Sequence, residues 1–156
     1  METQAISRSK QQMSSEFYKR LLKLTIGGGV AFWAITFAFS LLPIAAVFRA
    51  ALSISYFQMM FFESVLGGII ISCCISYIFL RFFEKIPTKS PIFKSAILGF
   101  VALGIVSILV GVAASRTSDA QYIFLIGAAL NVPTYFILGI VIGYLYKRLY
   151  GSESFV

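Results

Sequence analysis

Histidine is absent from the 156-residue chain, and its only two cysteines, Cys73 and Cys74, are neighbours inside an apolar run. Without imidazole there is no His-ligated haem, no ordinary zinc or copper site, and no general base that titrates near neutrality. An adjacent cysteine pair is no disulfide framework and says nothing about redox compartment. Charge is also scarce, at 12% of residues, against about 25% in a typical soluble domain. Acid–base catalysis needs converging groups, and the long apolar runs contain a single ionisable carboxylate, Glu63. The expectation is therefore a non-enzymatic protein with no cofactor and no metal.

What the chain has is apolar length. Hydrophobic residues make up 59% of it and its mean hydropathy is +0.90. A globule this small leaves much of its surface in contact with solvent, so a majority-apolar chain requires an apolar solvent. Residues 24–48, 95–115 and 120–146 carry no charge, and 50–80 carries only Glu63. Each run is long enough to cross a hydrocarbon core about 30 Å thick as a helix rising about 1.5 Å per residue. No run alternates polar and apolar residues as a membrane barrel strand would. The expected fold is all-α, an integral membrane four-helix bundle of two antiparallel hairpins forming one transmembrane domain. Its spans fall at about 24–43, 57–80, 95–115 and 120–146, with a polar N-terminal segment 1–23 and a short tail 147–156.

The net charge of +7 would suggest nucleic acid in a soluble chain, but no nucleic-acid signature accompanies it and topology explains it better. Arg8, Lys10, Lys19, Arg20, Lys23, Arg81, Lys85, Lys89, Lys94, Lys147 and Arg148 fall on one side of the proposed membrane, Arg49 and Arg116 on the other. Basic residues are retained on the cytoplasmic face, so both termini are expected in the cytoplasm and the chain in the cell membrane. The same bias argues against insertion in both directions. The polar start shows no cleavable signal peptide.

Local signals agree with this layout. Ser90 and Pro91 read as the N-cap and first turn of the third span, and Ser118 with Asp119 as the cap of the fourth. Pro43 ends the first span, and residues 44–56 read as a short helix lying in the interface, the alternative being one long first helix kinked at Pro43. Ser14 or Ser15 can cap a basic helix leading into the first span, while residues 1–13 and 152–156 read as disordered. Tyr56, Tyr77, Tyr122, Tyr144, Tyr146 and Tyr150 fall near the interfaces as an aromatic belt. Trp33 falls mid-span and reads as core packing, as do Cys73 and Cys74.

Small residues recur every four positions: Ser64, Gly68, Ser72 and Ser76 on the second span; Ser95, Gly99, Ser107, Gly111 and Ser115 on the third; Gly139 and Gly143 on the fourth. Such ridges let helix backbones approach closely, and serine hydroxyls can bond across the contact. They should face protein, either this chain or a neighbour. Gly27, Gly28 and Gly29 lack the flanking strand and lysine of a phosphate loop, and read as a flexible or close-packed start to the first span.

Two places carry candidate chemistry. Glu63 is an intramembrane carboxylate, read either as a near-interface ion pair with Arg49 or Arg116 or a water-exposed glutamate, or as a proton or cation site. Asn131, Pro133 and Thr134 lie near the middle of the fourth span, where proline frees the Ala129 carbonyl and marks a possible helix break, or a kink that neighbouring helices tolerate. Glu63 and Asn131 lie at similar depth and can share a site if their faces agree. The leading functional expectation is a membrane subunit, assembly factor or scaffold acting through helix contacts. Its partners would be the bilayer and either further copies of itself or other membrane subunits. The alternative is a small oligomeric transporter or channel using Glu63 and the Asn131–Pro133 region.

Overall fold

A computed structural model describes the backbone of residues 2–151 and the side chains of residues 14–151. The described residues form five helices and no strand: α1 Glu2–Ser40, α2 Pro43–Ala51, α3 Tyr56–Arg81, α4 Pro91–Ala114 and α5 Ala120–Tyr150, with a short 3-10 turn at Phe83–Lys85. Within them Ser14–Ser40, α3, α4 and α5 are long and apolar enough to cross a bilayer. The all-α four-helix bundle is thus present. Its outer surface carries Ile105, Ile108, Leu109 and Val112 in one exposed apolar stripe on α4, which water would not tolerate but lipid does.

The N-terminal expectations need correction. The backbone is helical from Glu2, so residues 2–13 are not an unstructured leader and Ser14 and Ser15 lie inside a helix rather than capping one. The reason is compositional: before Gly27 there is no proline or glycine, and Gln, Lys, Arg, Ala and Glu all support helix, so polarity alone gives the chain no reason to stop. The expected disorder of 152–156 lies outside the described residues.

At the other end of α1 the chain breaks. Leu42 is extended and Pro43 opens α2 as its first-turn residue, where a missing N–H costs nothing. That replaces the kinked single helix with two helices. α2 buries Ala45 and Phe48, and Phe48 packs on Ala114, Ile123 and Ile126 at the ends of α4 and α5. The chain then turns through 52–55, where Ser53 takes a left-handed φ of 55°. Ser55 and Gln58 start α3 reciprocally: Gln58 N–H donates to Ser55 Oγ at 3.1 Å, and Ser55 N–H donates to Gln58 Oε1 at 2.9 Å. Such a capping box is worth about 1 kcal/mol. Ser90 and Asp119 do occupy the caps of α4 and α5, although neither side chain bonds the helix.

The small-residue ridges face this chain's own interior. Ser64, Gly68, Ser72 and Ser76 are all buried. Opposite them on α1, a Cβ on Gly28 would come within 2.9 Å of Ser72 Oγ, and one on Gly68 within 2.9 Å of the Phe32 ring. The α4–α5 seam is tighter, because backbone meets backbone. A Cβ on Gly99 would lie 2.7 Å from the Tyr135 carbonyl oxygen, one on Gly139 2.8 Å from Ala96 Cα, and one on Gly143 2.6 Å from Ile92 Cα. Glycine is required at these approaches. The α4 ridge fades toward its far end, where Gly111 meets Phe124 only at ordinary contact distance and Ser115 is exposed. The serines contribute by size rather than by bonding: Ser72, Ser76 and Ser95 hydroxyls find no partner among the described residues, and Ser64 bonds its own helix.

The end of the bundle holding most Lys and Arg, here the basic end, is closed by rings. Phe79 packs edge-on against Phe83 and Tyr146, Phe17 against Tyr77, and Arg20 lies over the Tyr150 ring. Tyr150 is buried and Tyr146 half-buried among these rings, while Tyr56, Tyr77, Tyr122 and Tyr144 are exposed. Lys94, though buried, donates from Nζ to the Phe83 carbonyl oxygen and sits 4.0 Å from that ring's centroid, tying α4 to the loop before it. Trp33 is not core: it is 44% exposed and stacks on Phe37 along the surface of α1. Cys74 is likewise exposed, and Cys73 half-buried.

Candidate functional site

The site begins with an irregularity in α3. Directly after the capping box, residues Met59–Gly67 adopt a widened π-helical turn. Ser64, fully buried, donates its hydroxyl to the Met59 carbonyl five residues back at 3.1 Å. Such wide turns are rare and concentrate at functional sites, because they redirect side chains at the expense of regular hydrogen bonding. Glu63 lies within this turn, about 10 Å along α3 from its first residue.

Beside this turn lies a cavity of about 310 Å³. α1 contributes Phe32, Thr36 and Phe39, α2 contributes Phe48, and α3 contributes Met59, Phe62 and Glu63. α4 supplies Val106 and Val110, while α5 supplies Leu130, Asn131, Thr134 and Tyr135. Glu63 and Asn131 line the same cavity, and Thr134 joins them. Pro133 does not line it, and α5 continues unbroken from Ala120 to Tyr150. In place of the anticipated break, neighbouring side chains bond back onto their own helix. Asn131 Nδ2 donates to the Gly127 carbonyl at 2.9 Å and Thr134 Oγ1 to the Leu130 carbonyl at 2.8 Å. The amide oxygen of Asn131 is thereby left as an acceptor.

Among the described residues Glu63 has no salt-bridge partner. Arg49, on α2, instead donates to the Ser40 carbonyl at 3.2 Å, contacts Met59 Sδ at 3.8 Å and lies over the Tyr56 ring. Arg116 is exposed and likewise does not pair with Glu63. No Lys or Arg lines the cavity. Glu63 itself remains accessible rather than sealed into packing.

Tyr135 closes the candidate segment Asn131–Tyr135, but no role is expected of it there from the sequence. It is 2% exposed, packs edge-on against Phe32 with centroids 5.7 Å apart, and its hydroxyl makes no hydrogen bond to the described residues. The Glu63 carboxylate lies within electrostatic reach of that hydroxyl. One signal could have found it: Tyr135 follows Asn131 by four residues, so a helix puts both on one face. Nothing in the sequence marks the widened turn or the covering position of Phe48.

The lining thus bears one carboxyl group, no Lys or Arg among the described residues, a few neutral polar groups and a wall of aromatic rings. Among the described residues no cluster of three or more His, Cys, Asp or Glu exists that would cage a metal ion. These features define an all-α bundle of four helices long and apolar enough to cross a membrane, with an acid-bearing cavity between them. No protein-family model, curated protein or solved structure matches the chain, so its own residues carry the functional reading.

Proposed function

We propose that the chain is a non-enzymatic membrane transporter of a small solute, with the Glu63 cavity as its binding site. The observation that carries this reading is the convergence of Glu63, Asn131, Thr134 and Tyr135 from two helices on one cavity. The small-residue ridges, which favoured a scaffold, are occupied within the bundle itself and no longer call for a partner. An intramembrane acid without a salt bridge is costly to keep, and such residues mark solute and ion pathways. With basic residues retained on the cytoplasmic face, both termini are cytoplasmic and the cavity lies in the outer half of the cell membrane. α2 then lies over its outer mouth.

Flux into proteoliposomes tests this reading. Purified full-length protein, supplied in turn with alkali ions, amines, amino acids and sugars, is expected to carry one class, and Glu63→Gln to abolish that flux. Unchanged flux in Glu63→Gln removes the cavity from the mechanism, and no flux for any class overturns transport. Labelling from outside should reach Arg116→Cys and not Lys89→Cys. Modification of both from one side would remove the topology.

A second reading, the subunit or scaffold, is favoured by a separate groove. Between α1 and α3, Leu22, Ile26, Val30, Trp33, Val65 and Ile69 line an almost wholly apolar lateral groove. A neighbouring helix of another copy or subunit would fill it. Cross-linking from Trp33→Cys in native membranes to a second chain would favour this reading, and a monomer with no cross-linked product would remove it.

A further inference from the structure

The chemistry of the cavity narrows what it can hold. Its single carboxylate, with no cationic residue among the lining, excludes an anionic ligand and matches one positive charge. A divalent ion held by protein usually takes six or more oxygen ligands, commonly with more than one carboxylate among them, and the lining offers a single carboxylate. A bare alkali ion would occupy a small fraction of about 310 Å³ and would gain nothing from the surrounding carbon. That carbon is the larger part of the wall: Phe32, Phe39, Phe48 and Phe62, with Met59 and the ring of Tyr135. Aromatic faces attract cations whose charge is spread over a poorly hydrated body, as in quaternary ammonium groups. A site of this volume, mostly apolar with a few placed polar groups, fits an organic molecule.

We propose that the cavity binds a hydrophobic monovalent organic cation, an amine or quaternary ammonium, paired with the Glu63 carboxylate and enclosed by Phe32, Phe39, Phe48, Phe62 and Tyr135. This rests on the transport reading above and adds the substrate class. Asn131 Oδ1 and the Tyr135 hydroxyl supply hydrogen-bonding groups for an ammonium N–H, and α2 covers the bound body through Phe48. The cation and a proton compete for the same carboxylate. Of the helices around Glu63, α1, α2 and α4 present no titratable group to the cavity, α5 presents only Tyr135, and the nearby Arg49 on α2 is engaged elsewhere. Binding should therefore follow the ionisation of Glu63 alone.

Equilibrium dialysis of the full chain in detergent tests this with radiolabelled tetraphenylphosphonium, against tetraphenylborate of the same shape and opposite charge. Saturable binding of the phosphonium and none of the borate is expected. Glu63→Gln, similar in shape and checked for unaltered elution on size exclusion, should bind the phosphonium about tenfold or more weakly. Equal retention of the two ions, or full affinity in Glu63→Gln, overturns the proposal. If Glu63→Gln fails to fold, displacement of labelled phosphonium from the unaltered protein decides: unlabelled benzyltrimethylammonium should compete and sodium should not, and the reverse order overturns it. Two further outcomes separate the readings. Glu63-dependent flux of another solute without phosphonium binding overturns the substrate class and leaves transport standing. Saturable phosphonium binding without flux of any solute leaves the cation site and removes transport.

Discussion

The two halves of this bundle are built from opposite materials. At the basic end, Ser95, Gly99, Gly139 and Gly143 bring α4 and α5 into backbone contact, Gly28 sits against Ser72, and rings close the end. At the opposite end the same helices carry Phe39, Phe62, Val106, Val110 and Leu130 and, with Phe48 of α2, enclose the Glu63 cavity, although α4 and α5 still meet closely where Val110 faces Gly127. Lipid provides no hydrophobic drive between helices, so association depends on close packing. Concentrating that packing in one half lets the other half stay open. The difference teaches that the small residues are not the functional surface of this protein but the clamp that permits a cavity.

Breaking the clamp should have the largest effect. Gly143→Leu places a side chain where even a Cβ would lie 2.6 Å from Ile92 Cα and 2.8 Å from the Pro91 carbonyl oxygen. Neither atom can move without separating the helices. We expect a loss of about 3 kcal/mol or more, read as lost monodispersity and a lowered midpoint in detergent unfolding. A midpoint within error of the unaltered protein would show that the seam is not the clamp.

The next effect sharpens the cavity side of the comparison. Protonated Glu63 is neutral and cannot pair with a cation, so phosphonium affinity should be full at alkaline pH. It should weaken as pH falls through the titration of Glu63, by at most about tenfold per unit for one linked proton. Affinity measured across pH 5 to pH 9 checks the sign, and a rise on acidification would reverse the assignment. Glu63→Gln should lose the dependence altogether.

Phe62→Leu keeps the hydrophobic bulk of the wall but removes one ring face. Affinity should drop about two- to fivefold, the range of a single cation–π contact, with no change in unfolding midpoint. Equal affinity would leave hydrophobic burial as the sole contribution of that side chain. The smallest effect is expected at Gly104, on the lipid-facing side of α4, where an added Cβ meets nothing within 4 Å. Gly104→Ala should be neutral or stabilising, by up to about 1 kcal/mol from helix propensity, in contrast to every clamp glycine.

The four long apolar helices, the short helix after Pro43, the burial of the Ser64 to Ser76 ridge and the possibility that Glu63 and Asn131 meet were all legible from residue order. Each depends on local quantities: run length, helical periodicity, and a proline's missing donor. Several further features were decided only in three dimensions, among them the widened turn at Met59–Gly67 and Phe48 lying over the cavity. So were Tyr135 as a wall residue, Arg49 turning to Ser40 instead of Glu63, and the unbroken course of α5 through Pro133. These depend on which groups compete for the same space and the same hydrogen bonds once the helices meet. Periodicity places a side chain on a face of its own helix, but how far the neighbouring helix stands off is settled by the residues of both.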